Sequence, residues 1–275
     1  MTATRLAIVT GGSAVRYYSH LNQAIFAAEH GFAHRLELSV ARDVFSPYWY
    51  KFLAIRRTIP DYHWILWMDD DAYFTDWGGH RIEDLLERLE AEDRFLAISA
   101  GAPELDGSWT RVNSGVMLLR NDPRSERLLD LASSARPSTV KEWWDDDRDG
   151  MFTDGDQDTI WWALSTAPEL HDGFVVTDHR LLNSRAEYYE SLDDATIVHF
   201  PGPGDKELRM WSFAQRFGLG KELVPGDLLR TYTGKAPRQI TRTELAARRV
   251  GERSAAAQKR VRRKIDWVRT TGRWR

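Results

Sequence analysis

Cysteine is absent from the 275 residues. Disulfides and thiolate metal sites are thereby excluded, and the absence fits a reducing compartment. Long apolar runs are also missing. No stretch approaches the roughly 20 apolar residues that cross a bilayer. The opening MTATRLAIVTGG carries only the short run Leu6 to Val9, which reads as a strand and not as the apolar core of a signal peptide. The expectation is a soluble or peripheral protein in the cytoplasm, in contact at most with the inner face of the membrane. GxGxxG is missing too, so Thr10 and Gly11 at the end of the first strand do not suggest a dinucleotide site. No internal repeat or low-complexity linker occurs before about residue 233.

What is present suits a sizeable core. The chain is 42% hydrophobic and has 12 tryptophans, enough for one large catalytic domain or two small ones. Large aromatics fill cores and also serve as flat platforms for sugar rings and bases. The net charge of −3 hides an asymmetry: residues 235–275 carry 14 Lys and Arg against Glu244, Glu252 and Asp266. The expected division is a catalytic domain over 1–232 and a basic helical extension over 233–275. Val250, Ala257, Val261, Ile265 and Val268 give a helix near 243–269 one apolar face. It could lie on an anionic membrane or pack on its own domain or a dimer mate. Nucleic acid is disfavoured, because no aromatics interleave the charges.

Hydrophobic periodicity predicts strands at 5–10, 36–40, 64–68, 95–100, 113–119 and 195–200, and helices at 21–30, 48–58, 82–90, 125–133 and 157–164. Their alternation predicts an α/β sandwich on a largely parallel sheet, with ligands at the carboxyl ends of the strands. WILWM (64–68) is a continuous apolar run of the kind buried on both faces, and Asp69-Asp70-Asp71 follows it without a gap. In extended chain Asp69 and Asp71 share one side, which suits a hard divalent cation. A solvated acidic turn is the plainer reading. Helical aspartate-rich motifs need i, i+3 or i+4 spacing, which this strand-like context lacks.

HGF (30–32), SPYWYKFLAIRR (46–57), WILWMDDDAYFTD (64–76), VNSGVMLLRN (112–121), GDQDTIWWAL (155–164) and IVHFPG (197–202) follow in order. Over residues 5–217 this order resembles the galactosyl/xylosyl/mannosyl transferase family, which includes plant xyloglucan xylosyltransferases and yeast α-mannosyl- and α-galactosyltransferases. The resemblance implies a GT-A fold, a nucleotide-diphosphate sugar donor (UDP first), Mn²⁺ with Mg²⁺ as second candidate, and transfer with retention. It lays the DxD motif on Asp69 and Asp71, with Asp70 where small polar residues are usual. It also matches the donor-binding strand to Asn113-Ser114-Gly115, an Asp-Gln pair to Asp156-Gln157, and a late HFxG to His199, Phe200 and Gly202. PGDK follows where plant members have a Cys-Lys-Pro run.

The implied metal set is Asp69, Asp71 and His199, although a lone histidine ending a strand is more often a satisfied core residue. Donor and nucleotide contacts are expected from Thr10, Gly11, Lys51, Asp69, Asp70, Asn113, Ser114, Gly202 and Lys206. For Lys51 and Lys206 the alternative is a solvated surface charge. Asp156 and Gln157 are the catalytic candidates, and Asp156 could equally cap its helix. Trp143 and Trp144, beside Asp145-Asp146-Asp147, suit stacking on an acceptor sugar. The acceptor itself (a glycan, a lipid-linked sugar or a small molecule) is not specified. Two other functions share the paired carboxylates: a metal-dependent phosphohydrolase, and a non-catalytic sugar-nucleotide-binding protein.

Overall fold

The computed structural model describes residues 5–38, 49–104 and 106–252. Residues 39–40 of the second expected strand, positions 46–48 of the SPYWYKFLAIRR motif, and Ala257, Val261, Ile265 and Val268 of the tail lie outside them. The chain begins β1 (Leu6–Gly12), α1 (Ser19–Glu29), β2 (Ala33–Leu38), α2 (Tyr50–Thr58), β3 (Trp64–Met68), β4 (Ala72–Phe74), α3 (Arg81–Ala91), β5 (Leu96–Ser99) and β6 (Asn113–Arg120). It continues through α4 (Pro123–Ser134), α5 (Pro137–Trp143), α6 (Asp146–Asp149), α7 (Asp156–Thr166), β7 (Phe174–Thr177), α8 (His179–Leu182), β8 (Ile197–His199), α9 (Lys206–Arg216) and α10 (Gly226–Thr233).

The main sheet has six strands in the order β2-β1-β3-β6-β5-β7. Only β6 runs against its neighbours; the pairings β1–β2, β1–β3 and β5–β7 are parallel. Helices cover both faces, so strand side chains are apolar whichever way they point. Ala7 and Val9 face α2, α4 and α7, in a cluster with Phe52, Ile55, Leu128 and Ile160. Leu6 and Ile8 face α1 and α3, with Phe26, Ile82, Leu86 and Leu89. All five residues of β3 are buried.

A second sheet of two strands decides the site. β4 pairs antiparallel with β8, setting Ala72 opposite His199. The late strand expected over 195–200 is thus shorter and belongs to this small sheet. Tyr73, Val198 and Phe200 pack there with Leu208 and Phe213 of α9 and with Ile240 and Leu245. Residues 242–252 are helical. Arg248 pairs with Asp205 and Glu207 at 2.7 and 2.5 Å. Among the described residues, Ile240, Leu245 and Arg248 of the extension thus pack against α9 and the small sheet. Val250, assigned to the apolar face of the tail, is 63% exposed.

Candidate active site

The acidic triplet is not extended chain. Asp69 N–H donates to Gly115 O at 2.7 Å, and Ala72 N–H donates back to Asp69 O at 3.1 Å, closing a tight turn between β3 and β4. The turn, and not strand alternation, turns Asp69 and Asp71 to one site. Asp70 faces the opposite way, 3.9 Å from Arg16, in a narrow cleft lined also by Thr10, Gly11, Ser19 and Leu36. Its backbone oxygen accepts from Ser19 Oγ at 2.6 Å. Burial and the two neighbouring aspartates push its carboxyl up to about 6.

His199 arrives beside Asp71 because β8 pairs with β4, and Phe200 N–H donates to Asp71 O at 3.1 Å. One ligand atom from each of Asp69, Asp71 and His199 lies within 4.8 Å of the others. The tautomer of His199 follows from a backbone group. Gly115 N–H donates to Asn113 Oδ1 at 2.9 Å, which fixes that amide. Asn183 Nδ2 donates to the same oxygen at 2.8 Å, so Asn183 Oδ1 faces His199 Nδ1 at 2.8 Å and accepts its proton. Nε2 then faces Asp71 Oδ1 at 3.0 Å. A neutral ring there presents a lone pair to a carboxylate, an arrangement that needs a proton or a cation between them. Two carboxylates and an imidazole nitrogen so oriented fit a divalent ion that accepts mixed oxygen and nitrogen ligands, as Mn²⁺ does. Burial would raise the Asp71 carboxyl, but His199 and Lys206 reverse this and hold it well below the usual carboxylate range. Lys206 Nζ pairs with Asp71 Oδ2.

A second cluster adjoins the first through Asp69. Lys51 is buried, and its Nζ lies 2.6 Å from Asp156 Oδ2 and 3.1 Å from Asp69 Oδ1. Burial disfavours the ammonium, yet the two carboxylates outweigh it and push the Lys51 pKa up to about 12. The Asp69 carboxyl is raised too, because its packed surroundings outweigh the pull of Lys51. Ser114 Oγ donates to Asp156 Oδ2 at 2.6 Å, and Ser114 O accepts from Lys51 at 3.0 Å. Asp156 is not a helix cap. Gly155 holds the cap position of α7, and Asp158 accepts from the backbone of Thr153 and Gly155, which frees the Asp156 carboxylate for the site.

The expected donor contacts divide. Asn113 Oδ1 and Ser114 Oγ are engaged within the protein, behind His199 and Asp156 respectively. Gln157 is half-buried on the first turn of α7. Gly202 has φ +82° in the loop between β8 and α9, a conformation that suits glycine. Thr10 is buried with its hydroxyl unpartnered. Gly11 is required by the sheet, since a Cβ there would run into Glu37 O of β2. Trp144 Nε1 donates to Gly150 O at 2.8 Å, and Trp143 lies under Arg148, so both rings have structural partners. Sequence reasoning missed Asn183 and Arg16, for which no local pattern exists.

This fold and this site define a glycosyltransferase domain of the GT-A class. The backbone is similar to a crystal structure of a glycosyltransferase involved in the glycosylation of the major capsid of PBCV-1. The TM-score is 0.56 at 19% identity, over 72% of this chain and 95% of that one. The galactosyl transferase GMA12/MNN10 family matches residues 15–207, and the chain belongs to that family. Similar relatives include galactomannan galactosyltransferase 1 of Cyamopsis tetragonoloba, 31% identical over 41% of this chain and 27% of its own length. Xyloglucan 6-xylosyltransferase 4 of Arabidopsis thaliana is 34% identical over 40% and 21%. Probable glycosyltransferase 2 of Oryza sativa subsp. indica is 29% identical over 62% and 37%. The chain thus spans about a fifth to two-fifths of the length of these relatives.

Proposed function

We propose that this chain transfers a hexose or pentose from a nucleotide-diphosphate sugar, UDP-linked, to an acceptor hydroxyl with retention at the anomeric carbon. The observation that carries the reading is the joint site: Asp69, Asp71 and the oriented Nε2 of His199 meet Lys206 on one side and the Lys51–Asp156 pair on the other. The names of the galactosyl- and xylosyltransferase relatives support a hexose or pentose. Asp69, Asp71 and His199 would hold Mn²⁺, with Mg²⁺ the second candidate. A bound divalent cation would supply positive charge for the leaving diphosphate.

The residues of the chain do the rest. Lys206 adds a cationic donor at the same carboxylate, placed to meet phosphate oxygens. The 201–206 loop, with Gly202 in a left-handed conformation, presents backbone to the same region. Lys51 and Ser114 hold Asp156 in one orientation, as an anion beside the site. A carboxylate so fixed stabilises the positive charge that develops on the sugar ring as the bond to the leaving group weakens. Among the described residues, Asp69 and Asp71 belong to the metal set and Asp156 is held by Lys51 and Ser114. We therefore favour front-face attack, with the leaving phosphate oxygen taking the proton of the acceptor. Thr10, Asp70 and Arg16 line a narrow cleft at the ends of β1 and β2, beside the joint site. A separate cavity of about 380 Å³ touches His199 and Phe200 and is edged by Arg185, Arg209, Arg216 and Arg249. Its position supports an acceptor site there.

The test is a thermal-shift screen of nucleotide sugars with and without Mn²⁺, followed by NMR of the first-formed product. A ligand that binds the folded state raises the melting temperature by mass action. The expected result is Mn²⁺-dependent stabilisation by a UDP-sugar and a product that keeps the α configuration. A β-linked first product overturns retention. Cleavage of the donor by water to UMP and sugar 1-phosphate without transfer would establish the phosphohydrolase alternative.

A further inference from the structure

A second cluster of ligating groups lies away from this site, where the end of α1 meets the start of α3. His30 follows α1, His80 precedes α3, and Glu83 lies in the first turn of α3. Glu83 Oε1 is 2.8 Å from His30 Nδ1 and 3.5 Å from His80 Nδ1. The three ligand atoms all lie within 4.8 Å of one another. Around a tetrahedral zinc ion with bonds of about 2.0–2.2 Å, ligand atoms stand roughly 3.3 Å apart. The two measured separations bracket that value.

Three further observations distinguish this cluster from a chance surface grouping. The His30 side chain is only 5% exposed, and its ring is stacked on Phe26 at 4.0 Å and beside Phe32 at 5.8 Å, so its orientation is set before any ligand arrives. Glu83 Oε2 is buried and has no hydrogen-bond partner. Glu83 also has no lysine or arginine partner among the described residues; its ion pairs are with His30 and His80 alone. A part-buried carboxylate with one unpartnered oxygen and no basic side chain beside it favours a cation. A metal ion held by both imidazoles and Glu83 Oε1 would supply that charge within the cluster.

We propose that His30, His80 and Glu83 form a second metal site, for Zn²⁺, that clips the end of α1 to the start of α3. Two imidazoles and one carboxylate make a softer donor set than Asp69, Asp71 and His199, so the two sites prefer different ions. The exposed His80 leaves one side of the site open to solvent, where water completes the coordination. The clip reaches the active-site strand through a stack of rings: His30 lies on Phe26, and Phe26 lies on Phe74 of β4 at 3.6 Å. Asn22 of the same helix donates to Phe74 O at 3.0 Å and accepts from Phe74 N–H at 2.7 Å.

The test separates the two sites. Asp69→Ala with Asp71→Ala removes the first. In that background we expect one equivalent of Zn²⁺ by isothermal titration calorimetry and a melting temperature that rises with Zn²⁺. Adding His80→Ala should abolish both effects, and Glu83→Gln should do the same. His80 is solvent-facing, so its loss leaves the fold intact. Co²⁺ in place of Zn²⁺ should give the visible absorption of a four-coordinate nitrogen and oxygen site, lost with His80. Absence of Zn²⁺ binding in the Asp69→Ala, Asp71→Ala background overturns the proposal, as does unchanged binding after His80→Ala. If that background fails to fold, the otherwise unsubstituted chain is used: His80→Ala should lower bound Zn²⁺ by one equivalent, and unchanged stoichiometry overturns the proposal.

Discussion

Lys51 stands 2.6 Å from Asp156 and 3.1 Å from Asp69, and its ammonium is the positive charge that both carboxylates share in a packed site. Removing one partner of a buried ion pair costs about 3–5 kcal/mol, because the remaining charge is left uncompensated. Lys51→Met should fall toward the lower end of that range, since the Asp69 side chain is 31% exposed and keeps some hydration. Urea denaturation of the metal-free protein measures this; a midpoint equal to that of the parent would show that the pairing does not hold the site. Asp71→Ala and Asp69→Ala address the ion instead. Each should remove Mn²⁺-dependent stabilisation by UDP while the far-ultraviolet circular dichroism stays unchanged. Asp156→Asn keeps the shape and removes the charge. It should lower kcat strongly and leave donor affinity little altered, because the lost interaction belongs to the transition state. A trapped sugar–Asp156 adduct would replace front-face attack with double displacement.

At the scale of elements, β8 carries His199, and the segment after α8 carries the Asn183 that sets its tautomer. Asn183→Leu removes the acceptor at Nδ1 while leaving the strand pairing of β4 and β8 in place. Loss of such an outer-shell partner weakens metal binding by about 10–100-fold. Titration of Mn²⁺ into the variant checks this, and parent-like affinity would mean that β-pairing alone orients the ring. The edge strand β2 offers a pH test. Burial, reinforced by His20, lowers the His34 pKa to about 4, against an ordinary value of about 6.5. Between those values the unfolded chain binds the extra proton, so this contribution to stability is full above pH ~6.5 and is lost as the pH falls toward ~4. His34→Leu should therefore narrow its stability difference from the parent, or reverse it, as the pH is lowered through that window. A difference independent of pH would show that His34 protonates equally in both states.

For the molecule as a whole, the basic tail is not simply an appendage. Ile240 and Leu245 belong to the core beside β8, and Arg248 anchors to Asp205 at the start of α9. No helix among the described residues is long and apolar enough to cross a membrane. Residues 240–248 of the tail pack on the domain, so truncation should start beyond 252. A chain ending at Glu252 should bind Mn²⁺ and UDP as the parent does and sediment less with anionic liposomes. Unchanged sedimentation would remove the membrane reading and leave packing as the role of the tail.

The α/β alternation, the buried strand WILWM and the acidic triplet after it were all legible as local pattern, because periodicity and turn chemistry report the immediate environment of a residue. The short elements β4 and α8 were not, since three or four residues carry no period. Local chemistry also did not reveal that Gly11 is needed under a carbonyl on β2, or that the capping role open to Asp156 falls to Asp158 two residues on. Sequence by itself determined the fold class, the family and the residue types available for a cation. Only tertiary structure decided that His199 meets Asp71 across the β4–β8 pairing, that Asn183 sets its proton, and that Lys51 neutralises Asp69 and Asp156 together. Those contacts join positions up to 128 residues apart. Their register depends on how whole sheets and helices pack, which no window of neighbouring residues encodes.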